Sequence, residues 1–97
     1  MNKTLDLAVA LSTKTLVRVE HRKDGDTYCW LDKNLYSPST NWSQGGPLIE
    51  QHQICIDMDE HQGWLAAVKP YGVPIYVSAG STPLEAAMQC LVKRLKG

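Results

Sequence analysis

The sequence predicts an α+β fold in which a small antiparallel β-sheet of three to five strands packs with an N-terminal and a C-terminal helix. Apolar residues recur at helical spacing near both ends of the 97-residue chain, and β-branched and aromatic runs lie between them. Helices placed in this way cover one face of a sheet and leave the other face open. The length suits a single domain over residues 1–97, with a thin core.

The N-terminal helix is predicted within "NKTLDLAVALSTKT", and Asn2 or Thr4 is expected to cap its first turn. Its expected apolar face consists of Leu5, Ala8, Val9 and Leu11. The C-terminal helix is predicted within "STPLEAAMQCLVKRLKG", where Thr82 is the N-cap, Pro83 takes the first helical position and Glu85 closes a capping box. Its expected apolar face consists of Leu84, Ala87, Met88, Leu91, Val92 and Leu95.

The strands are predicted from runs of β-forming residues that end at turn sequences. A hairpin is expected in "LVRVEHRKDGDTYCWL", because Asp-Gly between such runs favours a tight turn. Two further strands are expected in "ICIDM" and "GWLAAVK". The run "PIYVSA" is expected to form an edge strand, since Pro70 and Pro74 restrict its pairing. Trp30 and Trp64 lie in strand-like runs and are expected to pack in the core or against the sheet.

Charge and composition exclude several classes of function. Ten basic and ten acidic residues cancel, whereas a protein that grips a long nucleic acid usually carries a basic excess. No apolar run approaches the roughly 20 residues that cross a bilayer. The three cysteines, Cys29, Cys55 and Cys90, match neither a disulfide framework nor a zinc-ligand spacing, and we expect reduced, mostly buried thiols.

The polar segment "YSPSTNWSQGGPLIE", residues 36–50, is predicted to be a recognition loop in which a short helical turn opens at Gly46-Pro47. Trp42 is expected either to cover the core or to offer a stacking surface. Paired glycines admit a ligand close to the backbone, and hydroxyl and amide side chains can bind its polar atoms. Ten residues form the predicted ligand-binding set: Ser37, Ser39, Thr40, Asn41, Trp42, Gln44, Gly45 and Gly46 from the loop, and Arg18 and Arg22 from the hairpin.

Catalysis finds little support in the sequence. A metal site could use Asp57, Asp59 and His61, but a solvated acidic turn explains these residues more simply because no second ligand cluster accompanies them. The loop serines lack a Gly-x-Ser-x-Gly turn, and "SQGGP" is too short for a phosphate loop. We therefore expect no catalytic residue, no metal and no cofactor.

Two motifs carry a resemblance to a known family. "SPSTNWSQGGPLIE" and the later "GSTPLEAAMQCLV" resemble the small phage-encoded NinX-type proteins, a domain family of unknown function. The motifs cover about a quarter of the chain and match the family in order and separation. The resemblance implies a bacteriophage or prophage origin and an accessory role, and it supplies no catalytic residues.

Three hypotheses follow for function. The first is a phage accessory protein in the host cytoplasm that sequesters a small nucleotide-like molecule, such as an immune signal, because a base can stack on Trp42. The second is an adaptor or inhibitor that binds a host or phage protein through Trp42 and the two glycines. The third and weakest is a metal-dependent enzyme. A thin core and one open sheet face also favour a homo-oligomer, with a dimer first.

Overall fold

The fold of the protein is described from a computed structural model. It describes residues 3–15, 17–23, 25, 27–31, 33–69, 72 and 74–96. The elements in chain order are α1 (Lys3–Thr13), β1 (Arg18–His21), β2 (Thr27–Leu31), β3 (Asn34–Leu35), α2 (Trp42–His52), β4 (Ile54–Asp59), β5 (Gly63–Val68), β6 (Ile75–Gly80) and α3 (Pro83–Lys96). This architecture confirms the predicted α+β class and both terminal helices. Within the described ranges, no helix is long and apolar enough to cross a membrane.

The strands form two antiparallel sheets instead of the single sheet predicted. Sheet A has the order β1-β2-β3 and sheet B the order β4-β5-β6. The predicted hairpin is confirmed, because Arg18 pairs with Trp30 and His21 pairs with Thr27. Asp24 and Asp26 of its predicted turn lie outside the described residues. Helix α2 occupies the chain between β3 and β4, which is the point where one sheet ends and the other begins.

Sheet B contains the three later strands at their predicted places. Strand β6 pairs with β5 and lies at the edge, as expected for the run that follows Pro74. A β-bulge interrupts this pairing, because Tyr76 and Val77 together oppose the single residue Ala67. Tyr76 accordingly adopts a φ of 55°, and its side chain packs against the main core.

Helix α1 confirms the predicted element but corrects its face. Leu5, Asp6, Val9 and Ala10 are buried, whereas Leu11 is 71% exposed. Leu11 lies six positions after Leu5, and this spacing turns its side chain away from the buried face. Thr4 lies inside the helix and so does not cap it, and Asn2 lies outside the described residues.

The main core is formed by α3 against sheet B, with α1 and α2 beside it. The cap of α3 is confirmed, since the backbone amide of Glu85 donates to Thr82 Oγ1 at 3.1 Å. The Glu85 carboxylate accepts a bond from Ser81 Oγ at 3.0 Å. Two residues of the predicted apolar face do not enter the core fully, because Leu95 is exposed and Val92 is half-buried. The buried α3 residues are Leu84, Ala86, Ala87, Met88, Cys90 and Leu91.

A smaller core cluster lies between α1 and sheet A. It contains Ala10, Cys29 and Tyr36. Burial raises the pKa of the Cys29 thiol and of the Tyr36 hydroxyl. Cys29 and Cys90 are buried free thiols, and Cys55 is an exposed one. The prediction of mostly buried, unpaired thiols is therefore confirmed.

Candidate functional site

The segment predicted to be a long recognition loop is largely helical. Helix α2 begins at Trp42 and continues to His52, so that Gly46 and Pro47 lie inside it. The prediction that Gly46-Pro47 opens a short turn is therefore wrong. The non-helical part is the short stretch 36–41, whose turn is closed by bonds from the amides of Thr40 and Asn41 to the Ser37 carbonyl.

Asn41 fixes the start of α2. Its Oδ1 accepts bonds from the backbone amide of Ser43 at 3.0 Å and from Ser43 Oγ at 2.6 Å. Its backbone carbonyl accepts from the amides of Gln44 and Gly45. These bonds occupy amides that open a helix, which an N-cap residue normally satisfies. The polar side chain of Asn41, which is predicted to bind a ligand, therefore caps the helix.

Gln44 ties the first turn of α2 to the chain before it. Its Oε1 accepts a bond of 2.5 Å from the Ser37 amide, and its Nε2 donates a bond of 2.9 Å to the Leu35 carbonyl. Ser37 is itself buried. A ligand that used the Gln44 amide would have to replace both bonds. The site prediction for Ser37 and Gln44 stays a prediction, and the structure gives both residues a role within the fold.

Ser39 faces the protein interior. Its backbone amide donates to Asp6 Oδ1 at 2.9 Å, and both residues are buried. Burial raises the pKa of the Asp6 carboxyl, and its hydrogen bonds with Ser39 partly offset that effect. This contact fastens stretch 36–41 to α1. No local pattern in the sequence predicts the contact, since the two residues lie 33 positions apart.

The paired glycines have opposite surroundings. Gly45 is buried, and a Cβ at this position would collide with the Pro38 carbonyl oxygen and lie 2.7 Å from Leu84 Cδ2. At Gly46 a Cβ would meet open space. Gly45 therefore permits close packing of α2 against stretch 36–41 and α3, whereas packing does not require a glycine at position 46.

One face of α2 points outward, and we call it the outer face of α2. It consists of Trp42, Ser43, Gly46, Pro47 and Glu50, which follow one another at helical spacing and are exposed or half-exposed. Trp42 is 56% exposed. Thr40, just before the helix, is also exposed. Trp42 is therefore the one aromatic residue of this face, and Glu50 is its one charged residue.

A comparison with protein families finds a match that includes α2 and most of the rest of the chain. A family described as Bacteriophage P22, NinX matches residues 1–94 of the chain. The chain belongs to the NinX family. The match extends over α1, both sheets, α2 and most of α3, and it confirms the resemblance carried by the two sequence motifs. No curated protein matches the chain. Membership of this phage family supports an accessory role in a bacteriophage.

In this NinX-family chain, Arg18 and Arg22 lie on or beside β1 and not on α2. The Arg18 guanidinium stacks over Trp30 with 5.8 Å to the ring centroid, and that of Arg22 stacks over Tyr28 at 4.1 Å. Both arginines also pair with Glu20, at 3.8 Å for Arg18 and 2.7 Å for Arg22. These contacts hold both side chains against the hairpin.

The acidic side chains at the end of β4 accept hydrogen bonds from backbone amides. Asp59 Oδ1 accepts bonds from the amides of His61 at 2.8 Å and Gln62 at 3.2 Å. Asp57 Oδ1 accepts from the Met58 amide at 3.0 Å. Over the part of the NinX-family chain that the structure describes, no three His, Cys, Asp or Glu residues are grouped to hold a metal ion.

A polar cleft lies where α1 and α2 end, and sequence reasoning did not predict it. It has a volume of about 270 Å³ and is lined by Ser12, Thr13, Lys14, Thr15, Leu48, Gln51, His52 and Leu95. Lys14 adopts a φ of 58°, which turns the chain at the end of α1. Burial and then the nearby Arg94 lower the pKa of His52. The sequence feature that indicates this cleft is the hydroxyl-rich run "STKT", which lies at the end of the predicted N-terminal helix.

Proposed function

We propose that this chain is a phage accessory protein that binds a host or phage protein through the outer face of α2 and so acts as an adaptor or inhibitor. The observation that carries the proposal is the 56% exposure of Trp42. A tryptophan offers a large apolar contact area and is enriched among the residues that dominate protein interfaces. Trp42 is therefore the expected anchor of the contact.

The support beneath Trp42 favours binding to a protein. The Asn41 cap and the two bonds of Gln44 hold the first turn of α2 in place. A side chain on a rigid element loses little conformational freedom when a partner packs against it. Gly46, one turn after Trp42, adds no side chain that would keep a partner away.

The same arrangement argues against a nucleotide on this face. The polar groups predicted to surround Trp42 are largely directed inward, because Ser37 and Ser39 are buried and Gln44 bonds to the backbone. Glu50 is the one charged residue of the face, and a carboxylate repels phosphate. A protein partner needs mainly the apolar ring with a polar rim around it.

Site-specific photo-cross-linking tests the protein-binding proposal. A photoreactive phenylalanine is placed at Trp42, and in a separate variant at Leu11, a control that is also apolar and exposed but lies on α1. After expression in infected cells, we expect one discrete cross-linked protein at position 42 and not at position 11. Mixing the purified partner with the Trp42→Ala variant should then show loss of binding. Equal labelling at both positions would contradict the proposal.

The second candidate function is sequestration of a small nucleotide-like molecule, including an immune signal in the host cytoplasm. The polar cleft at the ends of α1 and α2 favours it, since Ser12, Lys14 and His52 line it. Thr13 and Thr15 also line the cleft, and their hydroxyls bond to each other at 2.7 Å. Hydroxyls and a lysine can bind phosphate and ribose oxygens. The volume of about 270 Å³ is near the lower limit of small-ligand pockets, which is roughly 300 Å³.

Thermal unfolding with added nucleotides separates the two candidates. A ligand at one hundred times its Kd stabilises the folded state by about 2.7 kcal/mol, whereas a protein-binding adaptor should not respond to nucleotides. The Lys14→Ala variant should abolish a nucleotide response in the cleft, and Trp42→Ala should leave that response unchanged. A nucleotide response that is lost in Trp42→Ala and kept in Lys14→Ala would indicate that the nucleotide binds to the outer face of α2 instead.

A further inference from the structure

Sheet B has a second face that α3 does not cover. Strand alternation and the pairing of β4, β5 and β6 direct one set of side chains away from α3. We call this set the outer face of sheet B, and it consists of Cys55, Asp57, Leu65, Ala67, Val77 and Ala79. The opposite set, which includes Ile54, Ala66 and Val68, lies in the main core.

A shallow groove of about 250 Å³ runs across this outer face. Cys55, Leu65, Ala67 and Val77 give it an apolar floor, and Asp57 and Lys69 add one charge of each sign. Asp57 pairs with Leu65, four residues before Lys69. At about 3.3 Å per residue, the two charges are roughly 13 Å apart along the strands. The groove is thus apolar in the middle and oppositely charged toward its two ends.

We propose that a second copy of this chain covers the outer face of sheet B and forms a symmetric dimer. The charges favour this occupant. A two-fold axis that lies between the two faces and crosses the strands reverses the strand direction of one copy. Asp57 of each copy then lies near Lys69 of the partner subunit, offset by one strand spacing of about 4.8 Å, which a lysine side chain can reach. The same surface therefore complements itself in charge.

The floor of the groove suits contact between two sheets. Ala67 and Ala79 are small, so that a facing sheet can approach to the usual distance of about 10 Å. Pairing through the edge of β6 is less favourable, because Lys93 Nζ already donates to the Val77 carbonyl at 2.9 Å. A formal net charge of zero also removes the overall repulsion between two copies. This inference does not rest on the proposed function.

Sedimentation with a matched pair of variants tests which face is used. Val77 on β6 and Val19 on β1 are edge-strand valines with similar exposure, 45% and 38%. We expect the unmodified protein to sediment at twice the 10.8 kDa of one chain. Val77→Lys should convert it to a monomer, and Val19→Lys should not. A monomeric unmodified protein, or a Val77→Lys protein that stays dimeric, would overturn the proposal.

A charge exchange tests the orientation of the two copies. In a dimer of either Asp57→Lys or Lys69→Asp, positions 57 and 69 carry like charges at both symmetry-related contacts. Each substitution should therefore raise the dissociation constant of the dimer by about tenfold or more. Mixing the two variants should restore assembly as a heterodimer, because the two substituted positions then face each other with opposite charges, as do the two unchanged ones. Circular dichroism of each variant confirms that it is folded. Failure of the mixture to associate more tightly than either variant alone would overturn the antiparallel arrangement.

Discussion

The Asp6 carboxylate in the first turn of α1 accepts a hydrogen bond of 2.9 Å from the backbone amide of Ser39. Each residue is only 2% exposed. The bond joins the N-terminal helix to the stretch that leads into α2, and it lies beneath the segment that presents Trp42. Burial raises the pKa of Asp6 above its ordinary value of 3.8, so that this buried carboxyl should make stability depend on pH.

The first prediction compares the protein with its Asp6→Asn variant across acidic pH. A raised folded-state pKa means that the folded protein binds the Asp6 proton more tightly than the unfolded chain does. This contribution is fully present below pH 3.8 and is lost as pH rises through the raised pKa. The unmodified protein should therefore lose free energy of unfolding relative to Asp6→Asn as pH rises toward neutrality, as measured by urea unfolding.

An Asp6→Ala variant provides the control for the hydrogen bond itself. It leaves the buried Ser39 amide without its acceptor and should cost about 1–3 kcal/mol, whereas asparagine retains an oxygen in that place. A gain of the unmodified protein over Asp6→Asn with rising pH would show that its hydrogen bonds outweigh burial and would contradict the predicted direction.

The second prediction concerns the neighbouring glycines of α2. Gly45→Ala forces a methyl group into the Pro38 carbonyl and Leu84, and we expect a loss of about 1–3 kcal/mol in the free energy of unfolding. At Gly46 a Cβ meets nothing beyond its chain neighbours, and Gly46→Ala should change the free energy of unfolding by less than about 0.5 kcal/mol, because contact of the new Cβ with the Pro47 ring offsets the higher helix propensity of alanine. Thermal unfolding of both variants measures the contrast. Equal effects at the two positions would mean that Gly45 is not tightly packed.

These glycines show why the sequence predicted the two ends of the molecule better than its middle. The terminal helices and the hairpin are specified by local patterns, namely capping residues, apolar spacing and Asp-Gly. Helix α2 contains Gly45, Gly46 and Pro47, which all disfavour a helix locally. Its packing against the main core through Leu48 and Ile49 supports the helix, and no local pattern contains those contacts. Asn41, with Gln44 three residues later, has the spacing of a capping box and was the available signal.

The same limit applies to the candidate site. Composition alone favoured a polar recognition loop over stretch 36–50, whereas most of that stretch belongs to α2. Whether a serine or glutamine faces solvent depends on tertiary contacts: Ser39 is buried, and the side-chain amide of Gln44 donates to the Leu35 carbonyl. The exposure of Trp42 depends likewise on where α2 begins. Residues with no periodic pattern around them could not be assigned to a face in advance.

The third prediction concerns the start of α3. Thr82→Ala removes the oxygen that accepts the Glu85 amide at 3.1 Å, and it should lower the free energy of unfolding by about 0.5–2 kcal/mol. Ser81→Ala is the matched control, because Ser81 Oγ donates to the Glu85 carboxylate in an exposed side-chain contact. Urea unfolding should therefore show a smaller loss for Ser81→Ala. A Thr82→Ala effect near zero would contradict the capping role.

The last prediction separates binding from stability at Trp42. The ring is more than half exposed and lies outside both core clusters, so Trp42→Ala should lower the free energy of unfolding by less than about 1.5 kcal/mol. Loss of binding to the cross-linked partner should nevertheless be complete, because an interface tryptophan can contribute several kcal/mol.

Trp64→Ala is the control: Trp64 packs against the main core, and its removal should cost about 3 kcal/mol or more. A stable Trp42→Ala protein that keeps full binding would remove the outer face of α2 as the interaction surface. A Trp42→Ala protein that unfolds as readily as Trp64→Ala would show that the tryptophan supports the fold instead.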